Sequence, residues 1–280
     1  MMKSTRLLLT VALFALIALP FFALSAQEAP DQPERLRVQI LSVRRHDPEA
    51  YTQGLLIHNG FFYESTGLYS KSTLRKVDML TGEVLQQIAL DQAFFGEGLA
   101  KVGDRLIQIT WQEQVAFVYD LETFDKLSAF TYIGEGWGLC YDEADEQLYM
   151  SNGSHILFVR DPETFQEVRR LEILRDGDYV RNLNELECVG DSIYANVWFS
   201  DEILRIDKQT GRITAVIDAT NLLTPEEREA IGNWGTLNGI AYDAETERFF
   251  ITGKLWSWMF EVQFVPELPE GYLTPTPRSR

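Results

Sequence analysis

The chain of 280 residues has only two cysteines, Cys140 and Cys188, and three scattered histidines, His46, His58 and His155. No His/Cys group has zinc-site spacing, so no metal or other cofactor is expected. The two thiols leave two readings open: a disulfide in an oxidising compartment, or two buried thiols. They sit one position out of register between neighbouring units of the repeat described below, which would let them face opposite sides. Cations are scarce, with 25 Lys and Arg against 42 Asp and Glu, a formal charge of −17. Such a surface repels phosphate backbones and excludes nucleic acid as a partner. Only one long apolar run exists, from Leu7 to Leu24, preceded by Lys3 and Arg6 and followed by small residues up to Ala26. Residues 1–26 read as a secretory signal peptide, an uncleaved membrane anchor being the rival. The protein is therefore expected to be secreted or periplasmic, to touch a membrane only if that segment is retained, and to be a monomer. Residues 27–35 and 265–280 are rich in Pro and charge and are expected to be disordered.

What is present is a repeat. Gln53-Gly54-Leu55, Glu97-Gly98-Leu99, Trp137-Gly138-Leu139, Asn184-Glu185-Leu186 and Asn238-Gly239-Ile240 each open a similar block of strands. From Leu55 the aliphatic positions advance by 44, 40, 47 and 54 residues, through Leu99, Leu139 and Leu186 to Ile240. Periods of about 40–50 residues with short strands are those of propeller blades. Within the first four units a third strand ends at Asp78, Asp120, Asp161 and Asp207, each followed by a Thr-containing turn. The last unit has only three strands before the Pro-rich tail. An open edge would leave backbone groups unpaired, so Leu36 to Ile40, which alternates apolar and polar, should pair there. The reading is an all-β, five-bladed β-propeller over residues 36–264, closed by this N-terminal strand. Thr224-Pro225-Glu226-Glu227 carries an N-cap, a helix-start proline and a capping-box glutamate. A short helix from 225 to 231 should interrupt the chain before the last blade, as a surface insertion or as a lid.

In a propeller the first strand of every blade lines the central axis, so residues at its entrance share one space. Gln53, Glu97, Trp137, Asn184 and Asn238 form that ring, and the neighbouring glycines let the backbones crowd together. Nine residues before each blade's acid lies a second ring at the same end, Trp111, Asn152 and Trp198, with Lys254 as the matching position of the last unit. Glu97 between two glycines is a poor strand and a poor core residue, which marks it as functional. Trp234, Trp256 and Trp258 are read as core, and Asn152 and Asn238 are as readily turn caps as site residues.

At these residues the chain resembles the plant-type glutaminyl cyclases, the glutaminyl-peptide cyclotransferases. The resemblance is carried by Tyr51-Thr-Gln-Gly-Leu55, Phe95-Gly-Glu-Gly-Leu99, Thr110-Trp111, Gly136-Trp-Gly-Leu139, Leu183-Asn-Glu-Leu-Glu187, Asn196-Val-Trp198, Leu237-Asn-Gly239 and Thr252-Gly-Lys254. It runs from about Leu36 to Phe264. It implies a metal-independent five-bladed propeller with Glu97 as acid/base and Gln53, Trp111, Trp137, Asn184, Trp198 and Lys254 in the pocket.

The implied reaction is cyclisation of a peptide's N-terminal glutamine to pyroglutamate with loss of ammonia. The substrate's own α-amine attacks its γ-carbonyl, which fits the absence of a Ser-His or Cys-His arrangement. Glu97 would shuttle the proton. Lys254, or an amide of Asn184 or Gln53, would donate to the developing oxyanion. Trp111, Trp137 and Trp198 would hold the folded substrate and exclude water. Cleavage after Ala26 would leave Gln27 as a new N-terminus and itself a substrate. Two rivals remain at this level. One is a secreted, non-catalytic peptide-binding propeller. The other is a metal-dependent propeller hydrolase or lactonase holding calcium through Glu97, Asn184 and Asn238.

Overall fold

The computed structural model describes residues 32–267. The expected signal peptide, Gln27 and the segment from residue 268 lie outside them. Strand β1 (Glu34–Arg45) begins two residues before the expected start of the folded part. Strands β2 (Thr52–His58), β3 (Phe61–Thr66), β4 (Thr73–Asp78) and β5 (Val84–Ala89) form an antiparallel four-stranded sheet in chain order. Strands β6 (Gly96–Val102), β7 (Arg105–Thr110), β8 (Val115–Asp120) and β9 (Lys126–Thr131) form a second. Strands β10 (Leu139–Asp142), β11 (Gln147–Met150), β12 (Ile156–Arg160) and β13 (Glu167–Glu172) form a third. A small hairpin that the repeat did not announce follows, β14 (Leu174–Arg175) and β15 (Asp178–Tyr179). The chain continues through β16 (Leu183–Val189), β17 (Ser192–Val197), β18 (Glu202–Asp207) and β19 (Ile213–Asp218). Helix α1 (Pro225–Ile231) then precedes β20 (Leu237–Asp243), β21 (Arg248–Gly253) and β22 (Trp258–Pro266).

The expected pairing is present: β1 runs antiparallel to β22, from Leu36 opposite Pro266 to Arg45 opposite Trp258. A second contact was not foreseen. The start of β1 also pairs in parallel with β19, Glu34 to Arg37 opposite Ala215 to Asp218. Leu36 and Arg37 pair on both sides, with β22 and with β19, and β1 thereby covers the edge of β19, which would otherwise expose unpaired backbone groups. The last two groups are thereby one eight-stranded sheet, ordered β16-β17-β18-β19-β1-β22-β21-β20. The fold is all-β and propeller-like. Its first strands pack side by side: β2 against β6, β6 against β10, β10 against β16, β16 against β20, and β20 against β2.

Local chemistry explains the hairpins. Asp78 Oδ1 accepts from the N–H of Leu80 and of Thr81 and from the Thr81 hydroxyl. Asp120, Asp161 and Asp207 repeat this with Thr123, Thr164 and Thr210. One carboxylate thus replaces the three acceptors a tight turn lacks. The core lies between neighbouring groups: Ile107, Ile109 and Val118 pack with Leu139, Leu148 and Met150. Cys140 of β10 and Cys188 of β16 are joined as a disulfide, their Cα atoms 5.5 Å apart. The one-residue offset between them in the repeat does not separate them, because strands of different sheets are not held in register by ladder hydrogen bonds.

Helix α1 has the reciprocal capping box. Thr224 accepts from Glu227 N–H, and the Glu227 carboxylate accepts from Thr224 N–H. Arg228 binds both carboxylate oxygens of Asp201 at 3.2 Å. The helix buries no residue and does not roof the cavity described below, although the segment after it reaches that cavity.

Candidate active site

The entrance residues are aimed by bulges. The β2–β3, β6–β7, β16–β17 and β20–β21 ladders each slip register around Gln53, Glu97-Gly98, Asn184-Glu185 and Asn238-Gly239. A bulge bends a strand and turns a side chain out of alternation, here toward the shared axis. Close approach requires the glycines. A Cβ on Gly98 would sit 2.4 Å from the backbone nitrogen of Leu139, and one on Gly138 would sit 2.0 Å from the carbonyl oxygen of Asn184.

These bulges open on a cavity of about 490 Å³. Its lining includes Gln53, Glu97, Trp111, Trp137, Asn184, Trp198 and Lys254, all anticipated above. Asn238 is not among them. It is fully buried behind Gln53, with Nδ2 donating to Thr52 O at 3.0 Å and to Gln53 Oε1 at 3.2 Å. Asn152 also lies outside the lining and caps its own turn through Ser154. Three lining residues belong to motifs already noted or their flanks but had been assigned no role: Tyr51, Phe95 and Leu255. Leu68 had no sequence signal. Trp234, expected in the core, is 59% exposed and lines the cavity, whereas Trp256 is core. Trp258 is half-buried, its indole donating to Glu227.

Glu97 is 4% exposed and Lys254 1% exposed. They do not form an ion pair; Gln53 stands between them. Its Nε2 donates to Glu97 Oε1 at 3.0 Å, and its Oε1 accepts from Lys254 Nζ at 2.6 Å. The ammonium also lies 4.8 Å from the ring centre of Tyr51 and 5.5 Å from that of Trp198. Burial pushes the Glu97 carboxyl well above its ordinary range, against the pull of Lys254, with Glu135 and Glu113 adding to the rise. Burial lowers the Lys254 ammonium to about 8, against the pull of Glu97. Both groups are thereby moved toward neutrality, as proton transfer near pH 7 requires.

The aromatic walls are fixed from outside. Glu135 Oε2 accepts from the indole N–H of Trp111 and of Trp137, each at 2.9 Å, while Gln112 holds its other oxygen. Trp198 meets Trp137 edge-on at 5.2 Å. Three buried polar atoms of the lining have no hydrogen-bond partner: Glu97 Oε2, Asn184 Oδ1 and Trp198 Nε1. Such atoms are costly in a folded protein unless a ligand satisfies them.

Below the cavity, Glu185 stands where the other units have glycine. Its carboxylate accepts from Leu55 N–H at 3.2 Å and Ile240 N–H at 2.8 Å, tying β16 to β2 and β20. Sequence reading gave it no role; its departure from the glycine pattern was the available signal.

The cavity is largely apolar and holds a buried carboxyl raised toward neutrality, a buried ammonium and three unsatisfied polar atoms. The glutamine cyclotransferase family model matches residues 12–264. The chain is 37% identical over 261 residues to a glutaminyl-peptide cyclotransferase of Arabidopsis thaliana, covering 91% of this chain and 81% of that protein. It also matches the crystal structure of the Myxococcus xanthus glutaminyl cyclase. The TM-score is 0.75 and the identity 36%, covering 84% of this chain and all of the other. The chain belongs to the glutamine cyclotransferase family.

Proposed function

We propose that this protein converts the N-terminal glutamine of peptides and proteins to pyroglutamate, and that Glu97 is its proton shuttle. The observation that carries the assignment of Glu97 is its carboxyl at the cavity floor, one oxygen held by Gln53 and the other unpartnered. The neutral α-amine attacks the γ-carbonyl carbon and forms the ring C–N bond. Glu97 takes the amine proton and delivers it to the amide nitrogen. The old C–N bond then breaks and ammonia leaves. Protons and bonds balance without an enzyme nucleophile.

The unpartnered atoms supply the remaining contacts. Asn184 Oδ1 accepts from the α-amine and directs its lone pair at the carbonyl. Trp198 Nε1 and the Lys254 ammonium donate to the developing oxyanion. Gln53 has both ends of its amide engaged, so it is a positioning residue that separates Glu97 from Lys254 and keeps both available. Trp111 and Trp137 hold the substrate folded and exclude water.

We read the strand groups as five blades, the eight-stranded sheet being two of them joined through β1. The reaction is assigned without a metal, because a buried ammonium beside Glu97 opposes a second cation. Residues 1–26 are assigned as an export signal and the protein as secreted or periplasmic. The Cys140–Cys188 disulfide favours an oxidising compartment, and no helix among the described residues is long and apolar enough to cross a membrane.

The test is ammonia release from a Gln-initiated dipeptide in excess EDTA, for wild type and Glu97→Gln. The expected result is EDTA-insensitive turnover that falls by about 10²–10⁴ in the variant. A folded wild type that binds the peptide and releases nothing would make the protein a binding propeller; loss of activity with EDTA would make it a metal enzyme.

A further inference from the structure

The chemistry above leaves two large exposed rings without a role: Trp234, which lines the cavity, and Phe199, which lies outside the lining but stacks on the lining residue Trp198. Trp234 is 59% exposed and Phe199 57% exposed. Phe199 stacks on the wall residue Trp198, with ring centres 4.3 Å apart and planes 24° from parallel. Trp234 lies 5.9 Å from Phe199 and 6.2 Å from Trp198. The three rings make one open aromatic surface that continues the substrate wall outward.

This surface is held in place. Phe199 has φ 64°, a left-handed conformation that is unfavourable for a bulky side chain and is retained only where surrounding structure imposes it. Two residues on, Asp201 is clamped by Arg228 of α1, which ties the Phe199 turn to the helix that leads into Trp234. On the other side of Trp234, Gly235 O accepts from the buried Trp256 indole at 2.8 Å, and Thr236 O accepts from Lys254 N–H at 2.9 Å. The segment that carries Trp234 is therefore anchored to the turn after β21 that carries Lys254. An aromatic surface kept exposed by several anchors is preorganised for a ligand and gives up little freedom on binding one.

The position of the substrate decides which ligand. The α-amine and side chain of the N-terminal glutamine must both face Glu97, so its own carbonyl faces the mouth. The next Cα lies about 3.8 Å further along the chain. We propose that Trp234 and Phe199 form the subsite for the side chain of the substrate's second residue, and that they select aromatic and large apolar side chains there. This subsite rests on the cyclase reading.

The experiment compares kcat/KM for ammonia release from glutaminyl-phenylalanine amide, glutaminyl-tryptophan amide and glutaminyl-glycine amide. Wild type is expected to favour the two aromatic substrates by roughly tenfold, the scale of one or two aromatic contacts. In Trp234→Ala/Phe199→Ala the aromatic-to-glycine ratio should fall toward one, and Trp234→Phe should keep most of it. A flat wild-type profile with good turnover would overturn the subsite and leave the cyclase standing, as would a ratio unchanged in the double variant. Absence of ammonia from all three substrates would remove the cyclase reading and the subsite with it.

Discussion

Lys254 reaches Glu97 only through Gln53, which accepts from the ammonium at 2.6 Å and donates to the carboxylate at 3.0 Å. A direct ion pair would satisfy both charges and hold each in its ordinary state. The interposed amide leaves the attraction too weak to offset burial. The carboxyl therefore rises and the ammonium falls to about 8. Both remain able to exchange protons with a substrate.

The sign of the Lys254 shift gives a pH dependence. Below about 8 the side chain is an ammonium and can donate to an oxyanion; above it the charge is lost. The rate should therefore fall on the alkaline side with a midpoint near 8. Lys254→Met should lower kcat more than KM and remove that limb. A pure KM effect would exclude the oxyanion role.

Glu135 positions two tryptophans through one oxygen. In Glu135→Ala both indole N–H groups lose their acceptor and the walls can turn. kcat should fall about tenfold, with a smaller change in KM, as expected for an error in placing the substrate. Glu135→Gln retains an acceptor and should recover much of the loss. Equal damage in both variants would point instead to the charge of Glu135 acting on Glu97.

Stability should vary with pH in two opposite ways. Desolvation raises the Glu187 carboxyl to about 8, and Glu185 is raised as well. Between the ordinary carboxylate range and about 8 the unfolded chain has released these protons while the folded chain keeps them, so stability falls as pH rises. Asp78, Asp120, Asp161 and Asp207 are lowered, the first three chiefly by turn hydrogen bonds; for Asp207 burial is the largest single effect and raises it, but its turn hydrogen bonds and Arg212 together outweigh it. Their contribution is present above the ordinary range and lost as pH falls. Maximum stability should lie on the acidic side of neutrality, and Glu187→Gln should flatten the decline toward pH 8 in thermal or urea unfolding.

The Cys140–Cys188 bond closes a separation of 48 residues between two sheets. Replacing both cysteines with serine should cost about 2–4 kcal/mol in reversible denaturation, chiefly by freeing the unfolded chain. Glu185→Leu should cost on the order of 3 kcal/mol, because two buried backbone N–H groups lose their acceptor. A variant as stable as wild type would show that those N–H groups find other partners.

The sequence by itself determined the repeat, the turn aspartates, the capped helix at 225–231, the β1–β22 pairing and most of the cavity lining. Each follows from short-range rules. Alternation lays out strands, a carboxylate before Thr closes a turn, and a polar residue beside glycine at the start of a repeat marks a bulge at the axis. The tertiary structure decided what depends on distance across the fold. It gave β1 a second, parallel partner, because the edge of β19 needed one. It joined the two cysteines, placed Asn238 behind Gln53 and brought Trp234 to the mouth of the cavity. It also set Gln53 between Glu97 and Lys254, residues 44 and 201 positions away from it. No local pattern encodes which amide lies between two charges; that is fixed only when separate strands converge on one axis.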